Sequence, residues 1–410
     1  MNFFKRYQTE LVLLLGIVLV YGLTALFNDA YVTRFYYNVT TLILHPAAIL
    51  GIFALGAAVV IISGGIDLSS GSMIALSAAI VCLSISLFSK WVFPDAESLP
   101  AWGHAAAFAI TLLVSLLVGT IHAWLITAIR LPPFVATLAS LVGLRSLAII
   151  MNKAVTSEMG AQSIKVNVKD PTFFAIGEHW WVAVLVFLTL AVFLHVVLNH
   201  TVLGRHLYAL GGNEQAAKLS GIRTERLKWF TYCFAAFTAA IAGILYASRI
   251  QQSDPESQGR AGELFAIAAA VIGGCSLAGG VGRVSGVMLG AVFLHVVIDS
   301  VAKLIKSGSD DFQGMIVGFL VVLAVAFNQL TDSKEGWRKQ FFPGAMGVVA
   351  IFTIGLLVAS VSAFSLEMSG KDTSWRDGGL AGVLTMIVLT VLRFSSSIAA
   401  RDKANPESAV

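Results

Sequence analysis

Charge and cysteine are both scarce in this chain of 410 residues. Asp, Glu, Lys and Arg make up only 12% of it, against 57% hydrophobic residues, and the mean hydropathy is +0.83. The length alone permits two or three soluble domains, but their surfaces would need roughly twice that share of charge. The 27 Lys and Arg against 23 Asp and Glu give a formal charge of +4, too small and too dispersed for a nucleic-acid-binding face. Cys82, Cys233 and Cys275 each sit inside an apolar run without metal-like spacing, which supports neither a disulfide framework nor a zinc site and leaves the redox compartment open. Catalytic constellations are also missing: no Ser/His/Asp, paired-carboxylate or Cys/His grouping occurs, and no Walker-A loop cradles a phosphate. The chain is therefore not expected to hydrolyse nucleotide itself or to carry a metal or cofactor.

Long apolar runs are what the sequence has in quantity. A helix needs about 20 apolar residues to cross a hydrocarbon core of roughly 30 Å, because lipid offers its backbone no partners. Runs bounded by charges, Pro and polar clusters lie near 10–28, 42–63, 71–89, 104–128, 134–152, 180–198, 230–249, 264–278, 285–303, 312–330, 342–364 and 378–398. About twelve such helices make an all-α, polytopic membrane protein and exclude a lipid-facing barrel. The first run follows Lys5 and Arg6 as a signal peptide would, but no small-x-small cleavage site follows Phe27, so it is counted as a span. Twelve crossings place both termini on one side. Alternate loops give that side fifteen Lys and Arg and the other side eleven, with Arg145 left inside a span. By the positive-inside rule both termini are cytoplasmic.

One long basic loop, Asn199 to Trp229, holds five of the fifteen cytoplasmic cations. Gly211-Gly212 is a breaker pair, Asn213 a good N-cap, and Glu214 to Leu219 suits a short helix that Gly221 stops at the C′ position. Ala216, Ala217, Ser220 and Gly221 give this helix a small-residue face that another backbone can approach closely. A docking knob for a soluble partner stands here against a solvated connector whose cations rest on lipid headgroups.

Two glycine-rich breaks interrupt the apolar runs. In Ile61 to Leu76, Gly64-Gly65 should end one helix, while Asp67 or Ser69 caps the next. An ionised Asp67 at membrane depth costs about 2.5–3.5 kcal/mol on insertion scales, so it belongs in the protein interior beside helix N–H groups, a cation or water. Gly279 to Met288 aligns without gaps on Gly64 to Met73, with matching Gly-Gly, Ser-Gly and Met, which suggests an internal duplication. Gly64, Gly65, Asp67, Ser69, Gly71, Ser72, Gly279 and Gly280 are candidates for a translocation path or a hinge, against plain tight turns. His45, His122, His195 and His295 stand singly on apolar stretches and read as core or interface residues. Arg145 reads as one half of an interhelical pair or as the neighbour of a polar cavity.

At these residues the chain resembles the permease subunit of ribose/xylose/arabinose-type ABC importers, the carbohydrate-uptake family with a ten-helix permease. The likeness is carried by Ile61 to Ser69 with Gly71-Ser72, by Leu131-Pro132-Pro133-Phe134-Val135-Ala136-Thr137-Leu138, by Gly204-Arg205 with Tyr208 to Glu214 and Ala216 to Ile222, and by Ala268 to Gly274 with Ser276 to Gly282. It covers roughly residues 10 to 330. The resemblance implies a permease domain at 1–330 whose 199–229 loop couples to a cytoplasmic ATPase through Gly211, Gly212, Asn213, Glu214, Ala216, Ala217, Leu219, Ser220 and Gly221. It further implies that ATP and Mg are bound by that partner ATPase and that a second permease, as homo- or heterodimer, completes the path. A periplasmic or lipid-anchored solute-binding protein would deliver a monosaccharide or related solute across a bacterial inner membrane. The chain departs from the pattern after Leu330: 331–410 adds a two-helix hairpin and a polar tail of open purpose. Two rival functions stay open from the residues alone, an ion-coupled secondary transporter using Asp67 or Arg145, and a membrane scaffold or sensor.

Overall fold

The computed structural model describes residues 7–304 except 95, 159, 161 and 162, scattered positions between 314 and 363, and residues 374–404. The chain forms two compact units, Met1–Ser300 with Ile316–Ala324, and Val301–Met315 with Val325–Val410.

The first unit is built from apolar helices that satisfy their own backbones. α1 (Gln8–Phe27) leads through two short helical turns and a π-helical segment, Asn38–Leu44, into α2 (His45–Ile62). Next come α3 (Ser70–Trp91), α4 (Ala101–Thr127) and α5 (Pro133–Glu158). A two-residue strand β1 (Val166–Asn167) and a short helix α6 (Pro171–Glu178) precede α7 (Trp180–His200). The basic loop folds as α8 (Val202–Gly212) and α9 (Glu214–Leu219), and the chain returns through α10 (Thr224–Ile250). Strand β2 (Gln252–Ser253), α11 (Gly262–Ile272) and α12 (Val284–Leu304) complete the unit. Antiparallel pairing of Val166 with Ser253 and Asn167 with Gln252 joins two loops at the end opposite α8 and α9.

Among the described residues eight helices are long and apolar enough to cross a membrane. They coincide with the expected spans except near 264–278. There the helix stops after 11 residues, about 16 Å at 1.5 Å per residue, which is half a hydrocarbon core. The apolar composition of that run concealed the break at Gly273-Gly274, where Gly274 turns at φ 90° and Gly273 packs against the Gly286 backbone. The expected spans 312–330 and 342–364 lie largely outside the described residues.

α2 is the spine of the unit, with every residue from Ala47 to Ile62 buried against α7, α10 and α11. Small residues let the helices approach: Gly56 lies against Ala235 and Thr238, Gly119 against the Cys233 backbone, and Gly243 against Ile74 and Ser77. The outer faces of α1, α4 and α7 present Leu15, Val18, Leu113 and Leu185 at 60–69% exposure, a surface suited to lipid or to other membrane subunits and not to water. In the second unit, α13 (Ser374–Ala404) contains the expected span 378–398. It packs Gly378 and Gly382 closely against Ala363 and Ala359.

Candidate functional site

α9 is assembled from local signals. Asn213 Oδ1 accepts from the Ala216 N–H at 3.0 Å, Ser220 caps the C-terminus, and Gly221 follows at φ 81°. Glu214 anchors the helix, accepting from Lys228 Nζ on α10 at 2.8 Å and from Lys218 Nζ at 2.9 Å. Burial pulls the Glu214 carboxyl upward in pKa, but the bonds from Lys228 and Lys218 outweigh it and hold the group below the usual range. The expected small-residue face divides: Ala216, Ser220 and Gly221 are exposed, whereas Ala217 is buried. Leu219, 90% exposed, stands at the tip. An apolar side chain is thus left uncovered on a capped, ion-paired helix.

The root of this projection touches both glycine breaks. A Cβ on Gly279 would lie 2.6 Å from the Gly211 carbonyl oxygen and 2.9 Å from the Gly64 Cα. One on Gly211 would overlap the Ile62 carbonyl and stand 2.5 Å from the Gly280 nitrogen. Gly280 N–H donates to the Ile62 carbonyl at 2.9 Å, and Tyr208 Oη on α8 donates to the Gly282 carbonyl at 2.9 Å. Gly64, Gly279 and Gly280 all have φ between 74° and 87°, a left-handed region open to glycine at little cost. Three segments distant in sequence therefore meet backbone to backbone at one node. Gly212 beside it is exposed and a Cβ there would meet nothing, although its backbone lies close to Gly280. On the same side, Ser285 Oγ donates to Glu10 Oε1 at 2.9 Å, tying the start of α1 to the start of α12.

The first break is closed from within. Asp67 Oδ1 accepts from the Ser69 N–H at 2.8 Å and from Ser69 Oγ at 2.6 Å, closing a local turn just before α3; neither Asp67 nor Ser69 makes the expected side-chain cap bond to the helix itself. Gly65 packs against Tyr232, and Ser72 Oγ donates to the Leu141 carbonyl of α5. Asp67 is 5% exposed, Ser69 3% and Ser72 0%, so in this conformation none of them borders open space. Gly71 lies against Glu263 and Gly259.

Sequence reasoning did not single out the groups that Gly71 meets. Between β2 and α11 the chain runs without helix through residues 254–261, and Arg145 secures it: Nη1 donates to the Pro255 and Gln258 carbonyls, the latter at 3.0 Å, and Nη2 to the Gly259 carbonyl at 3.0 Å. Of the two roles open to Arg145, a side-chain ion pair and a place beside a polar cavity, the geometry favours the second. At the end opposite α8 and α9, buried Asp170 accepts from the Leu99 and Phe173 N–H groups and from Ser98 Oγ, and pairs with His104 at 3.0 Å. Burial raises the Asp170 carboxyl, yet these bonds together hold it below the usual range.

Comparisons with known proteins agree with this architecture. Residues 39–325 match the family described as the permease component of the branched-chain amino acid transport system. The chain is 34% identical to the autoinducer 2 import system permease protein LsrC of Yersinia pseudotuberculosis serotype O:1b (strain IP 31758) over 293 residues, 72% of this chain and 77% of the relative. It is also 34% identical to the ribose import permease protein RbsC of Escherichia coli (strain K12) over 295 residues, 72% of this chain and 85% of the relative. No solved structure matches it. A membrane-spanning helical body, matched over more than two thirds of its length, belongs to this transport family and is a transmembrane permease subunit of an ATP-binding cassette importer.

Proposed function

We propose that the chain forms the translocation path for a monosaccharide or related small polar solute and that separate ATPase subunits move it through α9. The observation that carries this reading is the glycine node: displacement of α9 and α8 acts directly on the Ile62–Gly64 and Gly279–Gly282 backbones, which end α2 and precede α12. ATP and Mg belong to the partner ATPase. The remaining partners are a second copy or homologue of the permease and a periplasmic or lipid-anchored binding protein, at a bacterial inner membrane with both chain termini cytoplasmic. The substrate class follows the sugar and autoinducer 2 importers among the relatives. Asp67 is engaged by the Ser69 N–H and hydroxyl, which weakens the case for an ion-coupled carrier.

The test is Leu219→Glu in the complex expressed with its ATPase and binding protein. The substituted chain should insert and fold normally but lose ATPase co-purification and substrate-stimulated ATP hydrolysis. Undiminished association would remove α9 from the coupling role.

A further inference from the structure

Non-helical backbone at membrane depth persists only where protein buries it or where it borders water. Arg145, which holds the 254–261 stretch, lies twelve residues beyond Pro133, roughly 18 Å along α5 and near the middle of a hydrocarbon core of about 30 Å. Gln258 is fully buried and braces the same stretch, accepting from the Asp254 N–H at 2.9 Å and donating to the Gln252 carbonyl at 2.9 Å. Beside this braced segment is a cavity of about 400 Å³, bordered by Leu141, Val142, Arg145, Glu256, Arg260 and Glu263 among others. Glu263 is 8% exposed, and its Oε2 has no hydrogen-bond partner. A buried acceptor left in this state costs about 1–3 kcal/mol, more when charged, until a donor reaches it.

The polar groups of the cavity define what fits. Glu263 and Glu256 accept hydrogen bonds, exposed Arg260 donates them, and Leu141 and Val142 supply an aliphatic wall. A compact molecule with several hydroxyls satisfies all three, since each hydroxyl both donates and accepts while its C–H faces rest on the aliphatic side chains. An anionic solute would face two carboxylates across one uncommitted guanidinium. We propose that this cavity is a contact station for an uncharged polyhydroxylated solute midway along the translocation path, with Glu263, Glu256 and Arg260 as its hydrogen-bonding groups and Arg145 as the residue that positions its wall. The proposal rests on the importer reading.

The experiment uses the complete complex in permeabilised membranes, in a Cys233→Ser background because Cys82 and Cys275 are buried. Ser146→Cys and Ile149→Cys, which border the cavity without being its proposed binding groups, are each treated with a membrane-impermeant thiol reagent, and Leu185→Cys on the apolar face of α7 serves as the lipid-facing control. Both cavity positions should react about tenfold faster than the control, as water-lined sites do. At millimolar concentration at least one of a panel of pentoses and hexoses that includes D-ribose should slow labelling about threefold by mass action, and L-leucine should not. Glu263→Gln combined with Ser146→Cys should abolish that protection. Labelling as slow as the control, protection by no sugar, or protection by leucine instead would overturn the proposal. ATPase association judges the importer reading separately, because Leu219→Glu abolishes it whether or not the cavity binds sugar.

Discussion

Residues 63–69 and residues 254–261 both interrupt helix inside the first unit, and they are held in opposite ways. The first stretch meets its neighbours through backbone at glycine, with Gly64, Gly211, Gly279 and Gly280 in mutual contact and one hydrogen bond from Gly280 to Ile62. The second is held by side chains, three bonds from Arg145 and two made by Gln258. Glycine contacts have no interlocking side chains and tolerate small displacements, which suits a joint that receives motion. A guanidinium spread over three carbonyls resists displacement, which suits a wall of fixed shape. On the reading proposed above, residues 63–69 transmit motion and residues 254–261 contact solute.

The comparison breaks most visibly at Arg145. Arg145→Ala strands three carbonyls at membrane depth and should lower stability by about 3–5 kcal/mol, read as loss of folded yield and of thermal stability in detergent. Arg145→Lys should recover only part of it, because an ammonium lacks the planar fork that spans three acceptors. Gly279→Ala should follow, at about 1–3 kcal/mol, since φ 87° is strained for alanine and the added carbon meets Gly211 and Gly64. Uptake should fall in this variant by more than folded yield does; equal losses would make the node a structural turn and not a joint.

Smaller effects sharpen the same contrast. Asp170→Asn should weaken the loops opposite α8 and α9 by about 1–2 kcal/mol, because an amide replaces an acceptor that meets two N–H groups, a hydroxyl and His104. Since the Asp170 pKa is depressed on folding, its contribution is complete above the ordinary carboxylate range and is lost as pH falls through the lower folded value. Thermal stability of these loops should therefore be flat near neutrality and drop only in acid. Glu214→Gln should cost least, about 0.5 kcal/mol, because its pairs with Lys218 and Lys228 are partly exposed. Its pH dependence has the same sign as that of Asp170, with stability lost on the acid side.

Local signals were legible and remote ones were not. Asn213, Gly221 and the apolar runs encode caps and spans within a few residues of where they act, so α9 and the eight long helices could be read directly. Gly64 and Gly279 were recognisable as breaks, but nothing in their spacing shows that Gly211 closes a node with them, because the approach depends on α2, α8 and the 273–283 turn packing together. The shortness of α11 was hidden by an alanine-rich run whose hydropathy matches a full span. Glu263 and Arg260 looked like ordinary loop charges. Only the inward course of residues 254–261 brings them to mid-depth, and Arg145, an unexplained cation inside a span, was the one signal of that course.

The most direct test of the account is solute accumulation in proteoliposomes containing the chain with its binding protein, with and without the ATPase subunits. Labelled pentoses and hexoses are supplied, with ATP in one arm and a proton or sodium gradient in the other. The account predicts uphill accumulation only when ATPase and ATP are both present. Accumulation by the chain and binding protein alone, driven by an ion gradient, would contradict it.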